Sequence, residues 1–234
     1  MKTSILLIVK QKIRLFKYPL LIIGIILVLG INCKKDEPPA PLATSVTDME
    51  GNVYKIVTLG DQTWMAENLK VTKLNDGTPI TAEVFDITTP GYCWPDGLNG
   101  NKDVYGALYN WYSINSGKLC PAGWHVPNDD EWTTLITYAG GTQTGGDKLK
   151  ESGYTHWGSS NVNATNETGF TALPAGQRSS DGYIMGLHGI AVWWSSTEWD
   201  SLRAQILYIS SDVPVVSKGP VSKQFGASVR CVKN

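Results

Sequence analysis

The chain has 234 residues, with 20 lysines and arginines against 21 aspartates and glutamates, for a net charge of −1. Five of the basic residues and none of the acids precede residue 33, so the remaining 202 residues hold 15 basic against 21 acidic side chains, net −6. An acidic body of that size excludes nucleic acid as a partner and is enough chain for one sizeable core.

The N-terminal segment reads as an export signal. Lys2, Lys10, Lys12, Arg14 and Lys17 make a cationic stretch, and Tyr18 to Ile31 follow as fourteen uncharged residues. A spanning helix needs about 20 apolar residues, so the run suits a signal peptide better than a transmembrane helix. It ends Leu29-Gly30-Ile31-Asn32-Cys33, which resembles a lipobox, although Asn32 stands where a smaller residue is usual. Removal of residues 1–32 and lipidation of Cys33 are therefore expected, the alternative being an uncleaved N-terminal anchor. Residues 33–45 then form a tether, since Pro38-Pro39-Ala40-Pro41 favours an extended polyproline conformation. Lys34-Lys35-Asp36-Glu37 resembles the Lys-then-acidic signal of lipoproteins in the Bacteroidota. That resemblance implies a lipid-anchored, outer-membrane protein at the cell surface; the competing reading is an ordinary solvated charge cluster.

Residues 46–234 read as one domain, with no second linker and no repeat of fixed period. Val53–Leu59 and Gln62–Ala66 flank Gly60-Asp61, a Gly-X pair suited to a two-residue hairpin turn. Residues 75–103 are rich in Gly, Asn, Asp and Pro and read as long loops, and Tyr105–Ser113 as a short aromatic helix or turn. The spacing predicts a helix over Asn128–Ala139. Asn128 can cap it, Glu131 can complete a capping box, and Trp132, Leu135, Ile136 and Ala139 share one face. Gly140-Gly141 stops it. A shorter helix is expected over Asp147–Ser152. Candidate strands are Phe170–Leu173, Ile190–Ser195, Arg203–Ser210, Val213–Ser217 and Ala227–Val232. The pattern is α+β: two helices, several short strands and much loop.

A string of motifs carries a family resemblance. It runs through Gly60-Asp61-Gln62-Thr63-Trp64-Met65-Ala66-Glu67-Asn68-Leu69, Gly91-Tyr92-Cys93-Trp94 and Tyr105-Gly106-Ala107-Leu108-Tyr109-Asn110-Trp111. It continues through Leu119-Cys120-Pro121-Ala122-Gly123-Trp124-His125-Val126-Pro127, Gly169-Phe170-Thr171-Ala172-Leu173-Pro174-Ala175-Gly176 and Ser228-Val229-Arg230-Cys231-Val232. Together these resemble the Fibrobacter succinogenes major paralogous domain, over nearly all of residues 46–234. The resemblance implies little about activity. Trp124-His125-Val126-Pro127 before Glu131-Trp132 is similar to a stretch of formylglycine-generating enzymes, and the closing Val229-Arg230-Cys231-Val232 to the last strand of C-type-lectin-like domains. Both imply a single loop-rich, C-type-lectin-like (formylglycine-generating-enzyme-like) fold.

Residues able to carry chemistry are sparse. His125, His156 and His188 are about 30 residues apart with no metal-binding spacing, and no hydrolase elbow or phosphate-binding glycine loop is present. The closely spaced cysteine pair that formylglycine-generating enzymes use for copper is missing, so that chemistry does not carry over. Calcium is the one cofactor to weigh. Asp96, Asn99, Asn101 and Asp103 line up oxygen ligands in one loop, but Val104 stands where an EF-hand wants glycine. Glu198-Trp199-Asp200 is faintly similar to the Trp-Asn-Asp of calcium-dependent lectins, without the partner motif at Leu173-Pro174-Ala175. Catalytic and metal residues are accordingly expected to be absent.

Nine tryptophans remain to be placed. Trp64, Trp111, Trp124 and Trp132 are expected in the core. Trp193, Trp194 and Trp199 lie beside Glu198 and Asp200, late in the chain, where lectin-like folds place ligand loops. Of two adjacent strand residues one faces out or into a cleft, so these five residues are the ligand-binding candidates. Beyond Cys33, the cysteines are Cys93, Cys120 and Cys231, which permit at most one disulfide. The lectin-like resemblance implies Cys120–Cys231, with Cys93 a competitor for either partner. The expected function is non-catalytic binding of an extracellular glycan or protein. The alternatives are an enzyme acting on envelope or polysaccharide substrates and a structural adhesion component.

Overall fold

The structure is a computed structural model and describes residues 44–83, 88–95, 97, 101–158 and 160–234. In chain order the strands are β1 (Ser45–Thr47), β2 (Val53–Leu59), β3 (Gln62–Met65), β4 (Thr81–Ala82), β5 (Gly91–Cys93), β6 (Leu108–Tyr109), β7 (Trp124–His125), β8 (Ala175–Arg178), β9 (Ile184–Leu187), β10 (Ile190–Glu198), β11 (Arg203–Ser210), β12 (Val216–Ser222) and β13 (Val232–Lys233). The helices are α1 (Lys102–Tyr105), α2 (Trp111–Asn115), α3 (Asp129–Tyr138) and α4 (Gly145–Leu149). The fold is mixed α+β, mostly strand. Two helices were expected; the described residues hold four, three of them of four or five residues.

Two five-stranded sheets and one of three strands organise these elements. Their orders are β1-β2-β3-β13-β7, β12-β11-β10-β8-β9 and β4-β5-β6. The β2–β3 hairpin pairs Leu59 with Gln62 across Gly60-Asp61, with Gly60 at φ 62°. That backbone suits a primed turn, whose twist matches the strands it joins.

Helix α3 forms where its local signals place it. The Asn128 side chain accepts from the Glu131 N–H, and the Glu131 carboxylate accepts from the Asn128 N–H, a complete capping box. At the other end Gly141 N–H donates to Ile136 O and Gly140 N–H to Thr137 O, with Gly140 at φ 102°. That pair of bonds is a Schellman stop, and it satisfies two carbonyls the helix leaves open.

The central strands have a core on each face. Val192 and Trp194 of β10, Ala204 and Ile206 of β11, and Met65 of β3 enter one cluster with Tyr54, Tyr109 and Trp111. Ala191 and Trp193, Leu207 and Ile209, and Trp64 enter the other, with Trp132, Leu135, Leu149, Trp157 and Phe170. Four of its rings form a box. Trp64 and Trp132 lie 4.8 Å apart by centroid, and Trp193 lies 6.1 Å from Trp132 and 5.8 Å from Phe170.

Three strand expectations shift. Phe170–Leu173 is a loop, with Thr171 at φ 54°, and the strand begins at Ala175. The expected Val213–Ser217 strand lies at Val216–Ser222. Ala227–Val232 is tied in mainly by single bridges, Ala227 to Tyr109 and Ser228 to Trp193, before β13. A disulfide joins Cys120, ahead of α3, to Cys231 beside β13, with Cα atoms 6.0 Å apart. Among the described residues Cys93 is the free thiol, and burial pushes its pKa up to about 12. No helix among the described residues is long and apolar enough to cross a membrane.

Candidate functional site

The β10–β11 hairpin carries five residues, Glu198 to Leu202, out to a tip. Trp199 N–H and Asp200 N–H both donate to Arg203 O, closing the turn. Asp200 then fixes its shape. Its Oδ1 accepts from Leu202 N–H and Arg203 N–H, and its Oδ2 accepts from Arg203 Nε and Nη2 at 2.8 and 2.6 Å. These bonds, first the one from the Arg203 side chain, hold the Asp200 carboxyl below the usual carboxylate range. A carboxylate offers about four acceptor sites, and here all four are occupied.

Lys223 locks the tip to the end of β12. Its N–H donates to Leu202 O, and its ammonium reaches Glu198 Oε1 at 2.6 Å and Ser201 O at 3.0 Å. The Lys223 side chain is 10% exposed and lies in the floor, while its partner Glu198 is half exposed. A cleft of about 430 Å³ opens there, lined by Tyr112 of α2, Ser201, Leu202, Ser222, Lys223 and Gln224. On the same tip Trp199 is 55% exposed, which for a ring of that size is an outlying position.

The expected ligand residues therefore separate. Trp199, Glu198 and Asp200 stand on the tip, although Asp200 shapes the turn and has no acceptor to spare. Trp193 and Trp194 are both fully buried, one in each core. The expectation that one of the two faces out is corrected. It assumed a strand with one wet face, whereas β10 lies mid-sheet with apolar cores on both sides. Tyr112, Leu202, Lys223 and Gln224 escaped the sequence reading. Leu202 had a signal, being an apolar residue in a short polar connection between two strands; the others arrive from distant segments.

A second cleft, of about 470 Å³, lies against β2 and includes Glu67, Glu151, His156 and Thr171. His156 Nδ1 contacts both Glu151 oxygens at 2.8 and 2.9 Å, which orients the ring as a general base would be oriented. The lining hydroxyl is Thr171, and its Oγ1 is engaged with Gly169 O at 3.2 Å and with Asn166 Nδ2 at 3.0 Å. That hydroxyl thus both donates and accepts within its own loop.

Of the calcium candidates, Asp96 and Asn99 lie outside the described residues, as does Cys33. Asp103 is ion-paired with Lys70 at 2.9 Å, and Asn101 immediately precedes α1. Among the described residues no group of three His, Cys, Asp or Glu side chains is placed to hold a metal.

The model of the Fibrobacter succinogenes major domain matches residues 57–233. The chain belongs to this family. The matched span runs from β2 into β13, so the Fibrobacter succinogenes major domain contains both half-cystines, both cores apart from Tyr54 and the residues packed on it from the first strands, and the whole hairpin tip. No curated relative and no solved structure matches the chain significantly.

Proposed function

We propose that this Fibrobacter succinogenes major domain is a non-catalytic glycan-binding module, held at the outer surface of the outer membrane by lipid on Cys33. The observation that carries the reading is the exposed ring of Trp199 on a tip made rigid by two ion pairs and a backbone bond to β12. An indole offers a sugar a flat apolar face, and the hydroxyls, amide and ion pairs around the adjoining cleft supply directed polar contacts. The cationic N-terminal stretch, the cysteine at position 33 and the proline-rich tether support export and attachment. The strand-rich α+β fold, with its disulfide between the pre-α3 segment and the last strand, supports a C-type-lectin-like variant.

A glycan array probed with the soluble domain, residues 42–234, tests the reading, with Trp199→Ala as the paired control. Binding that is lost in Trp199→Ala is expected. Turnover of a polysaccharide without retained binding overturns it in favour of an enzyme. Attachment is tested separately by palmitate labelling of Cys33→Ser, where surviving label refutes the lipid site. Protease shaving of intact cells should remove the domain; protection places it on the periplasmic side.

A further inference from the structure

We infer that the hairpin tip selects neutral pyranosides over uronate-bearing or sulfated ones, an inference that rests on the glycan reading above. Four charged groups stand on the tip, and they form two closed pairs, Lys223 with Glu198 at 2.6 Å and Arg203 with Asp200 at 2.6 Å. Their sum is zero.

The hydrogen-bond inventory is equally even. Lys223 has used two of its three donors, on Glu198 Oε1 and Ser201 O. Arg203 has used Nε and Nη2 on Asp200 and keeps Nη1. Glu198 keeps Oε2 as an acceptor and is half exposed. The site therefore presents donors and acceptors side by side without net charge. A sugar hydroxyl, which donates once and accepts twice, fits that surface at each position.

A charged ligand fits it poorly. A carboxylate or sulfate that takes the donor left on Lys223, or Arg203 Nη1, comes to lie beside the Glu198 and Asp200 carboxylates, so it gives up its hydration for no net attraction. A cationic ligand gains nothing from Asp200, whose acceptor sites are filled. What remains attractive is the ring of Trp199, which favours a pyranose with an uninterrupted C–H face.

Three ligands of one backbone and linkage test this with full-length protein in detergent: a neutral oligosaccharide, its uronate counterpart and its sulfated counterpart. The neutral ligand should bind about tenfold tighter than either. Its affinity should change less than about twofold when salt rises from about 50 to 500 mM, since no net charge is being screened. Glu198→Gln removes the carboxylate charge beside the Lys223 ammonium, leaving the tip net positive, and should raise uronate affinity about tenfold. Tighter binding of the acidic ligands to the wild type, a steep salt dependence, or no gain in Glu198→Gln overturns the selectivity while leaving a glycan-binding tip intact. Binding of none of the three overturns the glycan reading and the selectivity together.

Discussion

Trp193 and Trp194 are consecutive in the chain and lie in different cores. Trp193 donates its indole N–H to Asn68 Oδ1 at 2.9 Å on one face of β10, and Trp194 donates to Tyr109 O on the other. Both are fully buried. Replacing a buried tryptophan by alanine removes its transfer free energy and leaves a cavity. Trp193→Ala and Trp194→Ala should each lose about 3–5 kcal/mol of stability in urea unfolding. Trp199→Ala should stay within about 0.5 kcal/mol of the wild type, because its ring is largely in solvent. A large loss in Trp199→Ala would mark that ring as packing rather than as a binding surface.

The contrast between these neighbours shows which parts of the fold can be read from sequence. Helix α3 and the β2–β3 hairpin are specified within a few residues, by Asn128 and Glu131, Gly140-Gly141 and Gly60-Asp61, and they form where expected. Phe170–Leu173 has a strand-like apolar pattern, yet it is bent into a loop by a side chain 60 residues away. No local rule reports that. Trp193-Trp194 was misread for a similar reason, since alternation says which residues share a face but not whether a face is wet. On the tip, Trp199 was legible as an aromatic residue between two strands. Lys223 was not, because only the pairing of β11 with β12 brings it to Leu202.

The side chain that bends the loop is Arg230, fully buried. Its Nε donates to Asn68 Oδ1 at 2.9 Å, Nη1 to Phe170 O and Nη2 to Thr171 O at 2.7 Å, and its guanidinium lies 4.2 Å over the Phe170 ring. Burial lowers its pKa to about 9. Lysine has one ammonium in place of a planar fork and cannot reach all three acceptors. Each buried oxygen left without a donor costs about 1–3 kcal/mol. Arg230→Lys should therefore lose roughly 2–5 kcal/mol in urea unfolding, and Arg230→Met at least as much. A neutral Arg230→Lys would show that the loop carbonyls are satisfied in some other way.

The Cys120–Cys231 bridge spans 111 positions of a loop-rich chain. In the chain-entropy description, closing a loop of that length destabilises the unfolded state by about 5 kcal/mol. The double variant Cys120→Ala/Cys231→Ala should lose roughly that amount relative to the oxidised protein, with a shallower loss if the reduced chain retains structure. Non-reducing peptide mapping of the wild type should recover the Cys120–Cys231 pair and a separate Cys93 peptide. A crosslink containing Cys93 would contradict the pairing.

Cys93 makes alkaline stability a test of its burial. The thiol is fully buried, and desolvation, the largest cause, raises its pKa from 9.0 to about 12. Its folded value thus lies above its unfolded one. The resulting stability is fully present below pH 9 and is lost as pH rises toward 12, because the unfolded chain releases the proton first. Between pH 8 and 11 the loss from this group is on the order of 2–3 kcal/mol. Arg230 acts in the opposite direction, its lowered pKa adding stability above about pH 9, and Tyr54 and Tyr109, both raised by burial, add to the loss. A total pH profile mixes these, so the comparison of wild type with Cys93→Ala isolates the thiol. At pH 8 the variant should be the less stable, by the small cavity and lost contacts of one sulfur. By pH 11 the wild type should have lost its advantage, and the two urea midpoints should converge or cross. A stability difference that stays constant from pH 8 to 11 would mean that the Cys93 thiol ionises as readily in the folded domain as in the unfolded chain.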